Sequence, residues 1–237
     1  MSTTEHTSKQ FDNELNAIRE RVLEMGGLVE SQITQAIDAL ISGDVSLMRH
    51  VIANDHRVNA LEVEIDERCN HVLVRRQPTA GDLRMVMTVI KTITDLERIG
   101  DEAEKIARMA QRLAQNQHLR GMPRYTEVRH AAALVQQMLR QSLDAFARLD
   151  LTSVTQVVRQ DEQVDDEYRA ILRLLISCMM EDPRTISTAL DILFLAKAIE
   201  RIGDHAKNMS EYVVYMVKGR DVRHVSVEEI EREVSEE

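Results

Sequence analysis

Two pairs of acidic residues in this sequence have the spacing of neighbouring side chains on a helix. Glu97 and Asp101 form the first pair, and Glu200 and Asp204 form the second, each within the sequence Glu-Arg-Ile-Gly-Asp. Residues four positions apart lie about one helical turn apart, so both carboxylates of a pair project from one face and could share a cation. Two like charges at this spacing repel, so a cation or an arginine is needed to neutralise them.

Further acidic residues show the same spacing on other predicted helices. Asp161 and Asp165 form a pair in the second half, whereas Asp55 is followed by Asn59 in the first. A cluster of carboxylate oxygens suits Mg²⁺, Ca²⁺ or Mn²⁺, and binds iron or zinc if further ligands complete the shell. The candidate metal ligands are Asp55, Glu97, Asp101, Asp161, Asp165, Glu200 and Asp204. If only one half binds a cation, the extra carboxylate favours the second.

A structural role is the alternative for these carboxylates. Arg98 and Arg201 lie inside the two motifs and could neutralise them as a surface ladder without a metal. Both halves keep the motif while the surrounding sequence has diverged, which favours a function. Gly100 and Gly203 support this, because a glycine within a helix costs about 1 kcal/mol relative to alanine. At such a position a glycine allows a neighbouring helix, with further side chains, to approach closely.

Six long helices are predicted to position these residues, because apolar residues recur three and four positions apart. They cover approximately residues 11–42, 44–77, 82–115, 124–149, 152–181 and 184–218. Glycines follow the first and the last of them, and Pro78 ends the second. Three prolines, eight glycines and 3% aromatic residues also favour helices over a strand-rich fold.

The sequence is internally duplicated. A shift of 106 residues aligns the first two predicted helices with the fourth and fifth, and a shift of 103 aligns the third with the sixth. This pattern predicts an all-α fold of two tandem three-helix bundles. We assign residues 1–118 to the first unit, 119–219 to the second and 220–237 to an acidic C-terminal tail that we expect to fray.

Composition limits the classes of partner and the compartment. The formal net charge of −10 argues against nucleic acid, which is bound by basic patches. Cys69 and Cys178 lie in helical contexts, and we predict two buried thiols and no disulfide. The N-terminus does not resemble a secretion signal, and no stretch reaches 18 uncharged apolar residues, so we expect a cytoplasmic protein.

Three segments together resemble the PhoU family of phosphate-transport accessory proteins: residues 77–84, 95–101 and 199–208. The resemblance extends over nearly the whole chain, to Gly219. It implies a negative regulator of the phosphate starvation regulon and of phosphate uptake. Such a protein is an adaptor, not an enzyme, between the ATPase subunit of the phosphate-specific ABC transporter and a sensor histidine kinase. We also expect a homodimer that reaches the inner membrane only through its partners.

The resemblance also implies a metal chemistry, since some family members bind iron or zinc clusters through Glu/Asp-x-x-x-Asp motifs. Here Glu97 with Asp101 and Glu200 with Asp204 match that motif. His205 follows Asp204, but Glu102 stands at the equivalent position of the first half, and we favour a structural histidine.

Two other hypotheses remain open. The chain could be a carboxylate-bridged metal protein with redox activity, but a di-iron bundle needs two Glu-x-x-His pairs and the sequence has only Glu127 with His130. Alternatively, it could be a metal-free scaffold whose acidic ladders pair only with arginines.

Overall fold

The computed structural model describes residues 9–76, 78–115 and 126–235, and every regular element in these ranges is helical. The α-helices are α1 (Lys9–Ser42), α2 (Val45–Asn54), α3 (His56–Arg76), α4 (Ala80–Ala114), α5 (Thr126–Arg148), α6 (Thr152–Glu181), α7 (Ile186–Lys218) and α8 (Val227–Ser235). The predicted all-α class is confirmed. The predicted boundary between residues 118 and 119 lies outside the described residues.

Local sequence explains where the helices begin and end. Gly43 and Gly219 have φ angles of +70° and +76°, a conformation that side-chain-bearing residues rarely adopt, and they end α1 and α7. At the start of α2, the Asp44 side chain accepts hydrogen bonds from the backbone N–H groups of Ser46 and Leu47. Such a cap pairs N–H groups that a helix start leaves without partners.

The second predicted helix is interrupted at Asp55, which separates α2 from α3. The prediction of one continuous helix is wrong here because the backbone tightens locally: the N–H of Val58 donates to the carbonyl oxygen of Asp55 at 2.9 Å. A bond over three residues narrows the turn relative to an α-helix. The equivalent prediction in the second half is confirmed, since α6 is continuous from Thr152 to Glu181.

The third helices of the two halves, α4 and α7, pack against each other in antiparallel orientation. At one end the Thr88 hydroxyl donates to the carbonyl oxygen of Tyr212 at 3.4 Å, and further along Arg201 pairs with Glu102 at 2.5 Å. α1 packs on α2, α3 and α4, while α5 packs on α6 and α7. One apolar core therefore extends through both halves. The two acidic motifs lie on α4 and α7, the helices that pack against each other at the centre of this core.

The C-terminal segment corrects another expectation. It forms α8, whose Ile230 is 1% exposed and packs with Val158 of α6 and Val214 of α7. The fraying that we predicted is wrong for these residues because apolar side chains recur at helical spacing and cover an apolar surface. Both cysteines are free thiols as predicted, but only Cys69 is buried, and Cys178 is half-buried.

Candidate functional site

Five carboxylates from the first half form what we call the first acidic face. Its members are Asp55, Glu62, Glu97, Asp101 and Glu104. Asp55 immediately precedes α3, Glu62 lies within α3, and the other three lie on α4. Glu104 is bound by Arg108 at 2.5 Å, one turn further along α4. The helix break at Asp55 and the packing of α3 on α4 bring the motif pair together with further carboxylates.

Gly100 makes this approach possible. A Cβ atom at this position would lie 3.3 Å from each of three atoms: Asp55 Oδ1, Gln32 Oε1 and Val58 Cγ1. Such contacts are tighter than most Cβ contacts in proteins, so a larger residue would push the neighbours away. The sequence predicted that this glycine lets the backbone of a neighbouring helix approach closely, but the atoms that approach it belong to side chains.

Asp55 and Gln32 are buried beside Gly100 with polar atoms that lack partners. Asp55 is 8% exposed and Gln32 is 3% exposed. Within the described residues, Asp55 Oδ1 and both side-chain polar atoms of Gln32 have no partner at hydrogen-bond geometry, although Gln32 is close enough to offset part of the rise in the pKa of Asp55. The Asn59 amide donates to the other oxygen of Asp55 at 3.4 Å. An unpaired buried polar group costs about 1–3 kcal/mol, so a group that satisfied these oxygens would be favoured.

Asp55, Glu62, Glu97 and Asp101 of the first acidic face have pKa values above their ordinary ones. Burial, followed by the charge of Asp101, raises the pKa of Asp55 and of Glu97. Burial also raises the pKa of Glu62 and, together with the charge of Glu104, that of Asp101. Where the structure describes the chain, none of the four forms an ion pair. The nearby charges of Arg98 and Arg201 lower the pKa of Glu97 and of Asp101 only in part, so repulsion among the carboxylates remains.

The second acidic face consists of the other predicted ligands, Asp161, Asp165, Glu200 and Asp204. Here lysines occupy the space between the carboxylates. Lys197 Nζ lies 2.5 Å from Glu200 Oε1, and Lys207 Nζ lies 2.8 Å from Asp161 Oδ2. Although burial opposes it, hydrogen bonding to these carboxylates keeps the pKa of both lysines above the ordinary value. The second face thus provides much of its own neutralisation.

The other two carboxylates of the second face differ from each other: Asp165 has a cation partner and Asp204 forms no ion pair among the described residues. Arg169 binds Asp165 at 3.2 Å. Burial, and then the charges of Glu200 and Asp161, raise the pKa of Asp204 to about 6. Gly203 is less constrained than its counterpart in the first half, because a Cβ there would meet its nearest neighbour, a methyl of Val135, at 3.4 Å.

The two motif arginines and His205 have partners outside the motif pairs. Arg201 pairs with Glu102 of α4, and in the described part of the chain Arg98 pairs with neither motif carboxylate. The arginine ladder that we considered is therefore not formed. His205 is 7% exposed, and its Nδ1 lies 2.7 Å from Asp95 Oδ1. This buried contact joins α7 to α4 and matches the structural role that we favoured.

The donor set of the first acidic face fits a hard cation in its chemistry, since all its ligands are oxygens. Among the described residues, however, no three His, Cys, Asp or Glu side chains stand in an arrangement that would hold a metal as they are. The carboxylates would have to turn towards one another to share an ion. The single Glu-x-x-His sequence lies elsewhere: His130 is exposed and binds Glu167 at 2.9 Å.

Comparison with known proteins identifies the duplicated unit. The family model described as "PhoU domain" matches twice, over residues 22–110 and 128–213, and each match ends in a helix with an acidic motif. A phosphate-specific transport system accessory protein PhoU homolog from Pseudomonas aeruginosa is 47% identical over 234 residues, covering 98% of this chain and 96% of that protein. The chain belongs to the PhoU family.

Solved structures agree with this assignment. The crystal structure of PhoU from Pseudomonas aeruginosa matches with a TM-score of 0.85 at 46% identity, covering 89% of this chain and all of that one. A phosphate transport system regulatory protein PhoU from Streptococcus pneumoniae matches with a TM-score of 0.82 at 28% identity, covering 90% and 99%. As in the sequence, no helix among the described residues is both long and apolar enough to cross a bilayer.

The sequence alone did not identify several residues of the two acidic faces. Glu62 is seven residues after Asp55, a spacing that returns to the same helix face and could have identified it. Lys197 and Lys207 are three residues away from Glu200 and Asp204, and this spacing also places side chains together. Gln32 gave no such indication, because it lies in a different helix.

Proposed function

We propose that this chain is an adaptor that represses the phosphate starvation regulon and phosphate uptake. In this role it binds the ATPase subunit of the phosphate-specific ABC transporter and the sensor histidine kinase of the regulon. Support comes from relatives that match almost end to end and are named as an accessory or a regulatory protein of phosphate transport. We further propose that it acts as a homodimer in the cytoplasm and reaches the inner membrane through these partners.

The observation that best supports a docking or cation-binding role is the first acidic face. Asp55 immediately precedes α3, and Glu62, Glu97 and Asp101 lie on α3 and α4; all four have raised pKa values and form no ion pair among the described residues. A basic partner surface or a cation would relieve their repulsion and gain free energy on binding. Complementary charge of this kind contributes more to partner choice than to bulk affinity.

For a cation, the residues on hand are Asp55, Glu97 and Asp101, with Glu62 and Gln32 as further oxygen donors. The unpaired oxygens of Asp55 and Gln32 favour such an occupant. A divalent cation would supply the positive charge that this face lacks. Sequence reasoning favoured the second half for a single cation, and that remains a prediction. The lysines of the second half lead us to propose the first half instead.

A metal-free scaffold is the second candidate, and the second acidic face favours it. There Glu200 and Asp161 are already paired with lysines, so helix packing alone accounts for that arrangement. Elemental analysis separates the two candidates. Protein purified without chelators or an affinity tag should contain a stoichiometric metal if the acidic faces bind one, and none if they serve only as a scaffold.

The adaptor proposal is tested in cells with a charge-neutralised variant. Replacing the four motif carboxylates, Glu97→Gln, Asp101→Asn, Glu200→Gln and Asp204→Asn, should derepress a phosphate-starvation reporter in phosphate-replete medium. The matched control removes four exposed carboxylates elsewhere: Glu20→Gln, Asp38→Asn, Asp144→Asn and Glu181→Gln. The control should repress normally.

Partner binding is read from the same strains. The ATPase subunit and the kinase should co-purify with the wild-type chain and with the control, and less with the motif variant. If the motif variant is folded by circular dichroism, represses the reporter and retains both partners, the acidic faces are not the working surface. If neither partner co-purifies with the wild-type chain, the adaptor role itself is contradicted.

A further inference from the structure

A cleft of about 630 Å³ lies between α7, α8 and the segment that connects them. Val227 and Ile230 of α8 form part of its apolar wall, while its polar wall comes from successive turns of α7 and from residues 223–225. It adjoins the second acidic face at Asp204. A volume of this size is within the range of sites that bind small molecules.

The polar wall contains several basic side chains, although the chain has a formal net charge of −10. Arg201, Lys207 and Arg223 line it, together with His224. The carboxyls in the same lining are Asp204, at the edge of the second acidic face, and one further residue of α7. The lining thus carries three permanent cations and two carboxyls, and its N–H donors, not a net positive charge, are the feature that suits an anion.

Each permanent cation is held by a carboxylate that does not itself line the cleft. The pairs are Arg201 with Glu102 at 2.5 Å, Lys207 with Asp161 at 2.8 Å and Arg223 with Asp221 at 2.5 Å. A guanidinium has five N–H donors and an ammonium has three, so each side chain keeps donors that these pairs do not use. The carboxylates fix the position of the cations, and the cleft therefore requires little rearrangement to bind an anion.

Two more side chains add to the polar wall. Glu211 lines the cleft at 6% exposure and has no hydrogen-bond or ion-pair partner among the described residues. Burial raises its pKa to about 7, despite the nearby charge of Lys207. In its protonated form, this carboxyl can donate a hydrogen bond to an anion. Asn208, one turn before Glu211 on α7, adds an amide donor.

We propose that this cleft binds a small anion bearing a phosphate group. Charge-assisted hydrogen bonds from guanidinium and ammonium groups suit the several oxygens of a phosphate. The apolar wall from α8 could accept an organic substituent. The proposal rests on the chemistry of the cleft and does not depend on the adaptor role.

Equilibrium dialysis of the purified, tag-free chain tests whether the cleft binds such an anion. The two probes are radiolabelled inorganic phosphate and radiolabelled adenosine monophosphate. At least one should bind saturably, with a dissociation constant below about 1 mM. Binding of phosphate alone would indicate a free-anion site, and preference for the nucleotide would indicate a phosphoester ligand.

Two variants locate the binding. Asn208→Asp places a negative charge in the cleft without removing a structural contact, and should weaken binding at least about tenfold, or roughly 1.4 kcal/mol. Arg223→Gln should do the same. The matched control is Arg220→Gln on the same segment, since Arg220 pairs with Glu233 and does not line the cleft.

Weakening by either folded variant, with the control unchanged, supports the proposal. It is overturned if neither probe binds saturably, or if the folded variants bind as tightly as the wild type. Circular dichroism establishes whether each variant is folded. If Arg223→Gln does not fold, the binding measured for Asn208→Asp is used to accept or reject the proposal.

Discussion

The two acidic faces descend from one duplicated unit, yet their charges are neutralised differently. In the second face, Lys197 and Lys207 bind the carboxylates directly. Under the alignment of the third helices, these lysines stand where the first half has Thr94 and Glu104. A motif that looks equivalent in sequence therefore presents available charge in one half and internally paired charge in the other. The neighbours of the motif, three residues away on each side, decide which.

The surrounding positions strengthen this difference. Gln32, buried beside the first face, corresponds to Met138 in the second half, and Glu62 corresponds to Tyr168. The Lys197 ammonium lies 5.4 Å from the centre of the Tyr168 ring, a favourable cation–π distance. The second half thus has an apolar side chain and an aromatic ring at the positions where the first half has oxygen donors.

The largest contrast should come from one substitution made in both halves. Asp161→Asn leaves the half-buried Lys207 without its carboxylate and should destabilise the fold by about 1–3 kcal/mol. Asp55→Asn removes an ionisable group whose pKa burial has raised, and should leave stability unchanged or slightly increased. Urea unfolding at neutral pH in the presence of a chelator measures both. Equal losses in the two variants would remove the distinction between the faces.

The pH dependence of stability tests the part of the second face that its lysines do not neutralise. The pKa of Asp204 is about 6, above its ordinary value of 3.8, so the folded state binds this proton more tightly than the unfolded chain. Its stabilising contribution is complete below about pH 4 and is lost as the pH rises through about 6. Asp204→Asn should therefore be more stable than the wild type by about 1 kcal/mol at pH 8, allowing for solvent exposure.

Thermal unfolding between pH 4 and 8 measures the difference in stability between Asp204→Asn and the wild type. The two proteins should converge below pH 4, and Asp38→Asn, an exposed acidic residue on α1, serves as the control. A difference that is constant over the whole range would show that Asp204 does not titrate as described.

The two glycines offer the smallest contrast. Gly203→Ala has ordinary contacts, with the nearest at 3.4 Å, and should stabilise α7 by up to about 1 kcal/mol through helix propensity. Gly100→Ala would press on Asp55 and Gln32 at 3.3 Å, and should gain nothing or lose stability. Thermal unfolding of the pair decides, and a gain in both would show that the first face has more room than the structure indicates.

Much of the fold follows from the sequence because its helices are long and strongly periodic. The spacing of apolar residues predicted α6 with its observed bounds, and Gly219 predicted the end of α7. The break at Asp55 could not be predicted, since no proline or glycine marks it. Similarly, α8 is too short to be stable alone and forms because Ile230 covers α6.

The sequence indicated which carboxylates lie near each other in the candidate site. It did not indicate which lysines and arginines neutralise them. Spacing within one helix identified Glu97 with Asp101 and Glu200 with Asp204. Which cation reaches which carboxylate depends on contacts between helices, so Arg201 was assigned to its own motif although it pairs with Glu102 across the α4–α7 contact. The spacing of residues in the sequence identifies neighbours on the same helix, but it does not identify neighbours on two helices that pack together.

Manganese binding tests the central claim, that the first acidic face is the one available to a cation, most directly. Free Mn²⁺ is measured by electron paramagnetic resonance during titration of tag-free, metal-depleted protein. The first-face variant Glu97→Gln/Asp101→Asn should bind at least about tenfold more weakly than the wild type, and the second-face variant Glu200→Gln/Asp204→Asn should differ less than about twofold. Loss of binding in the second-face variant with retention in the first, or no saturable binding by the wild type, would contradict the account.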